Sequence, residues 1–286
     1  MPNTIRHYRH PFLFYFLATL IPWLFWFAAG YVSHLEPQQG YHAVLVSLLG
    51  FIGLVSPVVI AYWMMAKDEY LKNDFYRRLF TLRSVKPLYL FLTLFLMLGS
   101  ILLAHAISLL FGYSTDQFVI TGEFTFTSGV FPVWALLIVA PLLEELAWHS
   151  YGTDCLRNRF NLFKTSMIFA LFWGLWHMPL SFIDNYYHSN VVETGWIHGV
   201  NFLVSLFPFV LIMNWLYYKT GRNILVAIVF HITAGFFNEI FATHPDSKVI
   251  QTGVLIVLTV FIIIYDRKFF FEREYTEQSS KGENNG

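Results

Sequence analysis

Eight separate stretches of this chain are apolar for about the twenty residues an α-helix needs to cross a bilayer. They lie at 12–31, 43–65, 88–111, 129–149, 165–183, 199–218, 223–241 and 249–266. Inside lipid the backbone has no water to bond to, so an isolated spanning segment must be a helix. The expected fold is therefore all-α: a polytopic membrane helix bundle of eight transmembrane helices. Composition agrees. Only 13% of the 286 residues are charged, against about 25% in soluble domains. The stretch from Phe12 is read as a retained helix, because it is long and aromatic and no small-residue cleavage site follows it.

The loops set the expected orientation. Lys and Arg collect in cytoplasmic loops. Here they occur in the N-terminal tail (Arg6, Arg9), in 67–86, in 157–164, at Lys219 and Arg222, and in the C-terminal tail. They are absent from 32–42, 112–128 and 184–198, and the last loop holds only Lys248. The alternation places both termini in the cytoplasm. Residues 1–275 are expected to form one integral-membrane domain, with a polar, disordered tail over 276–286. The third loop, 121–129, alternates polar and aromatic residues and is expected to dip into the outer interface. A net charge of zero excludes a strongly basic nucleic-acid binder. One cysteine, Cys155, excludes an internal disulfide and a cysteine zinc cluster.

Besides 88–111, whose His105 is read as helix packing, three of the apolar stretches carry ionisable groups. Glu144 and Glu145 end one, His177 lies within Phe172-Trp-Gly-Leu-Trp-His-Met-Pro179, and His231 lies within another. Each such group costs roughly 2.5–3.5 kcal/mol to insert, so each needs a partner or a use. By residue counting, His177 and His231 lie about 18 Å and 12 Å from the basic ends of their helices. Glu144 and Glu145 fall near the basic end of theirs, so all three helices are expected to deliver these groups to the cytoplasmic half. Two chemistries are open. A buried carboxylate can take a proton from water as general base. Alternatively, Glu144, His177 and His231 can hold Zn²⁺ with an open position for water. No other cofactor is indicated. The soluble zinc-protease helix, a phosphate loop and a serine-hydrolase elbow are all absent.

Glu144-Glu145, Trp173-Gly-Leu-Trp-His177-Met-Pro179 and His231 resemble the three motifs of the CPBP intramembrane proteases, also called the CAAX prenyl protease 2 or Abi family. The family pattern is Glu-Glu-x-x-x-Arg, Phe-x-x-x-His and His-x-x-x-Asn, and the motif core here spans 125–240. The resemblance implies an intramembrane endopeptidase in which Glu144, with His177, activates water. It implies that His231 holds the oxyanion and that Glu145 and Trp173 support the site. The partners implied are a membrane-associated peptide or protein substrate and the lipid bilayer. The implied location is a prokaryotic cell membrane, multi-pass, with the site facing the cytoplasmic side. Two positions depart from the pattern. His149 stands where the family has Arg, and Gly235 where it has Asn; Asn238 lies one turn further on the same face. These departures support the alternative of a catalytically degenerate scaffold or a bacteriocin-immunity-like protein.

Overall fold

The computed structural model describes residues 4–37, 39–81, 85–122, 124, 126 and 130–273. The tail expected at 276–286 lies outside these residues, as do parts of the third loop. Twelve α-helices follow one another: α1 Pro11–Ser33, α2 Gly40–Ala66, α3 Glu69–Phe80, α4 Pro87–Ser108, α5 Val133–Ala147, α6 Thr153–Arg157, α7 Leu162–His177, α8 Tyr187–Thr194, α9 Trp196–Lys219, α10 Ile224–Glu239, α11 Pro245–Tyr265 and α12 Arg267–Phe271. Among the described residues there is no strand, only a single bridge between Ile120 and Phe241. It ties the third loop to the end of α10, with the Thr121 amide donating to Ile240 at 3.1 Å.

Six helical segments are long and apolar enough to cross a membrane: α1, α2, α4 with its extension to Phe111, α5 through α6, α9 and α11. Large apolar side chains such as Phe12, Leu110, Val257 and Ile264 stay exposed along them, as lipid-facing surface does. This is a multi-pass membrane protein. The other two expected spans differ from simple helices. The α7 helix runs on as a tight turn, Met178–Phe182, and the chain then bends by 87° into α8. Pro179 opens that turn; its ring fixes φ and it has no N–H to donate. The α10 helix has 16 residues, about 24 Å of rise, which is short of the roughly 30 Å hydrocarbon layer.

The fourth span corrects the expected boundary. It does not end near residue 149 but passes through a turn of π-helix, Trp148–Gly152, and continues as α6 to Arg157. Every residue from Trp148 to Leu156 is buried. A π turn widens the helix by one residue and is common at functional sites. Gly152 is required there, because a Cβ would meet the ring of Phe14 on α1 at 2.7 Å. The continuation moves Glu144 away from the helix end. It lies 11 residues after Val133 and 13 before Arg157, roughly 17 Å and 20 Å along the axis, so it sits near mid-span.

Asp154 of that continuation is satisfied by a buried ionic cluster at the basic end of the bundle. Asp68 caps α3, accepting from the Tyr70 amide at 2.8 Å, and α3 carries Asp74 and Arg78 inward. Arg78 pairs with Asp74 and with Asp154 of α6, both at 2.9 Å. Arg222, in the turn between α9 and α10, bridges the same two carboxylates. Tyr8 donates to Asp74 at 2.8 Å and Tyr218 to Asp154 at 2.9 Å. Two arginines thus face two aspartates with their remaining bonds filled, the condition under which buried charges are tolerated.

Burial pushes Asp74 up, but the Arg222 and Arg78 guanidiniums and the hydrogen bond from Tyr8 outweigh it and hold the carboxyl below its usual range. A lowered folded-state value means stability that is present above the unfolded value of about 3.9 and lost as pH falls through the folded one. Asp74→Asn should therefore lower stability by about 3–5 kcal/mol at pH 6–8. Thermal melts of the detergent-solubilised protein should show the gap closing only below about pH 4, and a gap that widens with acid would refute the pairing.

Candidate active site

Two asparagine caps set the start of the helices that carry the histidines. Asn161 accepts from the Lys164 amide at 2.9 Å at the head of α7, and Asn223 from the Val226 amide at 3.2 Å at the head of α10. From those starts His177 and His231 reach mid-bundle, where α10 packs against α4, α5 and α9. Glu144, Glu145, His177 and His231 come together: Glu144 stands beside His177, and His231 pairs with Glu145 rather than with Glu144 as the zinc alternative required.

Glu144 and His177 form one half of the site. Glu144 accepts the indole N–H of Trp173 on Oε2 at 2.8 Å, and the same oxygen lies 3.8 Å from His177 Nε2. That gap is too long for a direct hydrogen bond and suits a bridging water. His177 Nδ1 lies 2.7 Å from the Trp173 carbonyl. A carbonyl only accepts, so Nδ1 carries the hydrogen, and in the neutral ring Nε2 presents a lone pair toward Glu144. Glu144 is 7% exposed and His177 8%: both are enclosed yet open to a cavity.

Glu145 and two histidines form the other half. Glu145 is fully buried. Its Oε1 receives His231 Nδ1 at 2.8 Å, and its Oε2 pairs with His149 Nδ1. His231 therefore belongs with Glu145, one residue from the carboxylate the sequence pointed to. Trp173 joins the halves: its ring stands 5.2 Å from that of His177 and 5.1 Å from that of His231. The two residues that depart from the family pattern divide. His149 is in the site as the partner of Glu145. Gly235 lines the cavity without a side chain, and a Cβ there would find only ordinary contact with Leu137 at 3.6 Å. Asn238 also lines the cavity, with its amide turned back onto the Ala234 carbonyl at 2.8 Å.

Three contributors had no visible role in the sequence. His188, on the bent-over α8, stacks on His177 with ring centroids 5.0 Å apart. Asn214 of α9 and Ser166 of α7 connect to His149 through hydrogen bonds. The one sequence signal of Asn214 and Ser166 was polarity inside apolar runs, which does not say which neighbour they meet, and His188 fell in an expected outside loop. A zinc site needs three or four converging donors. His231 turns its Nδ1 to Glu145, which leaves its Nε2 as the nitrogen available to a ligand. Among the described residues no three His, Cys, Asp or Glu side chains are grouped to hold a metal ion.

The cavity above Glu144 measures about 680 Å³. Trp173, His177, Phe209 and His231 wall its deep end; Asp184, Tyr187, Lys248 and their neighbours surround the other. Among its described lining residues none comes from the basic loops or from the Arg78 cluster. The mouth thus lies at the end of the bundle away from the basic residues. The sequence had suggested access from the basic end, but there Trp148–Leu156 and the ionic cluster fill the space.

A family model described as type II CAAX prenyl endopeptidase, Rce1-like, matches residues 126–237. A curated protein of Methanococcus maripaludis, CAAX prenyl protease 2, is 36% identical over 272 residues, which is 94% of this chain and 99% of that protein.

The two adjacent carboxylates should respond differently to neutralisation. Glu145→Gln leaves one acceptor oxygen for two buried histidines, turns an amide NH₂ on the other, and should cost about 3–5 kcal/mol. Glu144→Gln keeps an oxygen for Trp173 and should cost no more than about 1 kcal/mol. Paired thermal melts measure this, and equal destabilisation would contradict the geometry.

Proposed function

This chain belongs to the Rce1-like family of type II CAAX prenyl endopeptidases, and from that premise we propose that Glu144 and His177 activate the water it adds across a peptide bond. The single observation that supports this reading is the 3.8 Å gap between Glu144 Oε2 and His177 Nε2, with each group fixed from behind by Trp173. A water there donates one hydrogen to each acceptor and turns its own lone pair toward the cavity.

As the water oxygen bonds to the substrate carbonyl carbon, Glu144 takes its proton as general base. His231, protonated at both nitrogens and held through Nδ1 by Glu145, offers Nε2–H to the developing oxyanion. Glu144 then returns the proton to the peptide nitrogen as the C–N bond breaks, leaving an amine and a carboxylic acid that keeps the second hydrogen of the water. Gly235 supplies no side-chain donor to this step, so oxyanion stabilisation rests on His231. No step is routed through a metal. The substrate is a membrane-associated protein or peptide whose scissile segment is drawn into the cavity through its mouth.

The direct test is cleavage of a farnesylated peptide ending in a Cys-aliphatic-aliphatic-X sequence, followed by mass spectrometry. Glu144→Ala and His177→Ala should each lower the rate by about 10²–10⁴-fold without altering the melting temperature by more than a few degrees. Wild type that leaves this peptide and a set of membrane-derived peptides intact would favour the non-catalytic alternative. The loop charges also orient the mouth, because they put 184–198 on the side opposite the basic loops. A membrane-impermeant maleimide applied to intact cells should label Asp184→Cys and spare Lys164→Cys. The reverse pattern would put the mouth on the cytoplasmic face.

A further inference from the structure

Behind Glu145 a chain of hydrogen bonds runs across three helices, and its direction can be read from one end. The Leu162 carbonyl on α7 can only accept, and it receives the Ser166 hydroxyl at 2.9 Å. That uses the single Ser166 hydrogen, so Ser166 Oγ must accept from Asn214 Nδ2, 2.9 Å away on α9. The Asn214 amide is thereby oriented, with Oδ1 directed at His149 Nε2 at 2.9 Å. An amide oxygen only accepts, so Nε2 must donate. The other ring nitrogen, Nδ1, faces the Glu145 carboxylate. Ser166, Asn214, His149 and Glu145 are all fully buried, so water does not offer substitute partners.

The backbone around His149 is pinned as well. The His149 carbonyl accepts from Arg78 and from Tyr217, both at 2.9 Å, and the Ser150 carbonyl from Arg78 at 2.8 Å. The edges of Tyr217 and Phe169 close on the imidazole, with ring centroids at 4.6 and 6.0 Å. A 180° flip of the ring would put carbon atoms where both nitrogens now find acceptors.

We infer that Asn214, its amide oriented by Ser166, is a positioning residue that makes His149 donate from both ring nitrogens, so that His149 gives Glu145 the fixed donor the family pattern draws from arginine. Arginine carries its charge unaided, because its guanidinium is never deprotonated in a protein. Histidine at this position needs an acceptor behind it, and Asn214 is that acceptor. Glu145, saturated by His149 and His231, then holds His231 in place rather than competing with Glu144 for water. The substitution at His149 is accordingly a repaired variant of the site rather than a broken one.

The test uses the full-length protein in detergent with histidine side chains labelled with ¹⁵N, and His149→Arg to identify the His149 signals by their loss. In wild type both His149 nitrogens should resonate as protonated. Asn214→Asp, whose carboxylate still accepts, should preserve this, and Asn214→Leu should remove one protonated signal. A His149 with one protonated nitrogen in wild type, or unchanged in Asn214→Leu, would overturn the inference. This arm is independent of the peptidase reading. A second arm rests on that reading and uses the farnesylated peptide. Asn214→Leu should slow cleavage about 10–100-fold, the range typical for loss of an outer hydrogen-bonding partner, while Asn214→Asp retains most of the rate. In a His149→Arg background, Asn214→Leu should cost less than about 3-fold, since arginine does not depend on the acceptor. An equal loss in both backgrounds, in protein that still melts cooperatively, would reduce Asn214 to packing and sink the proposal.

Discussion

A carboxylate at the middle of a membrane bundle must be met by donors on nearly every side, and Glu145 is where that requirement falls. Its two oxygens are taken by His231 of α10 and His149 of the π turn. His149 passes the demand on to Asn214 of α9, and Asn214 to Ser166 of α7. Four helical segments are thus tied to one charge. If the carboxylate were left bare it would be several kcal/mol too costly to bury. The helices that carry the reacting groups are therefore the ones whose positions the charge dictates. Glu144, next in sequence, is free of this demand: it takes one hydrogen bond from Trp173 and faces the cavity.

The bundle is built in two polar layers separated by the π turn. The deeper layer, toward the basic loops, is the Arg78–Asp74–Asp154–Arg222 cluster, in which opposite charges balance and every carboxylate has several donors. It seals that end and pins the turn through the His149 and Ser150 carbonyls. The upper layer is the site, where the pairing leaves a lone pair on His177 and an open approach to Glu144. None of the charged layer is among the described residues that line the cavity. The break after His177 belongs to the upper layer. By bending after Phe182, the chain lays α8 across the top of the histidine and brings His188 against it.

The candidate site residues were visible before the fold because lipid makes ionisable side chains conspicuous. Glu144, Glu145, His177 and His231 stood out as groups with no cheap reason to be in apolar runs, and family resemblance gave them roles. Their pairing was not visible. Adjacent glutamates point about 100° apart on a helix, so which one meets which histidine depends on how α5 is rotated against α7 and α10. The extent of the fourth helix was misread for a related reason. Thr153, Asp154 and Arg157 look like a cytoplasmic loop until Arg78, some 75 residues earlier in the chain, is seen to satisfy Asp154.

By itself, then, the sequence determined that this protein is a helical membrane bundle with a glutamate–histidine site. Backbone satisfaction in lipid permits little else, and charges inside apolar spans announce themselves. Only the tertiary structure decided that Glu145 is the carboxylate shared by His149 and His231, while Glu144 faces the cavity beside His177. It alone decided that the cavity opens away from the basic loops, and that His149 keeps its place through Asn214. Each of these depends on which polar groups from distant helices come within about 3 Å of one another, a distance that no local pattern of residues encodes.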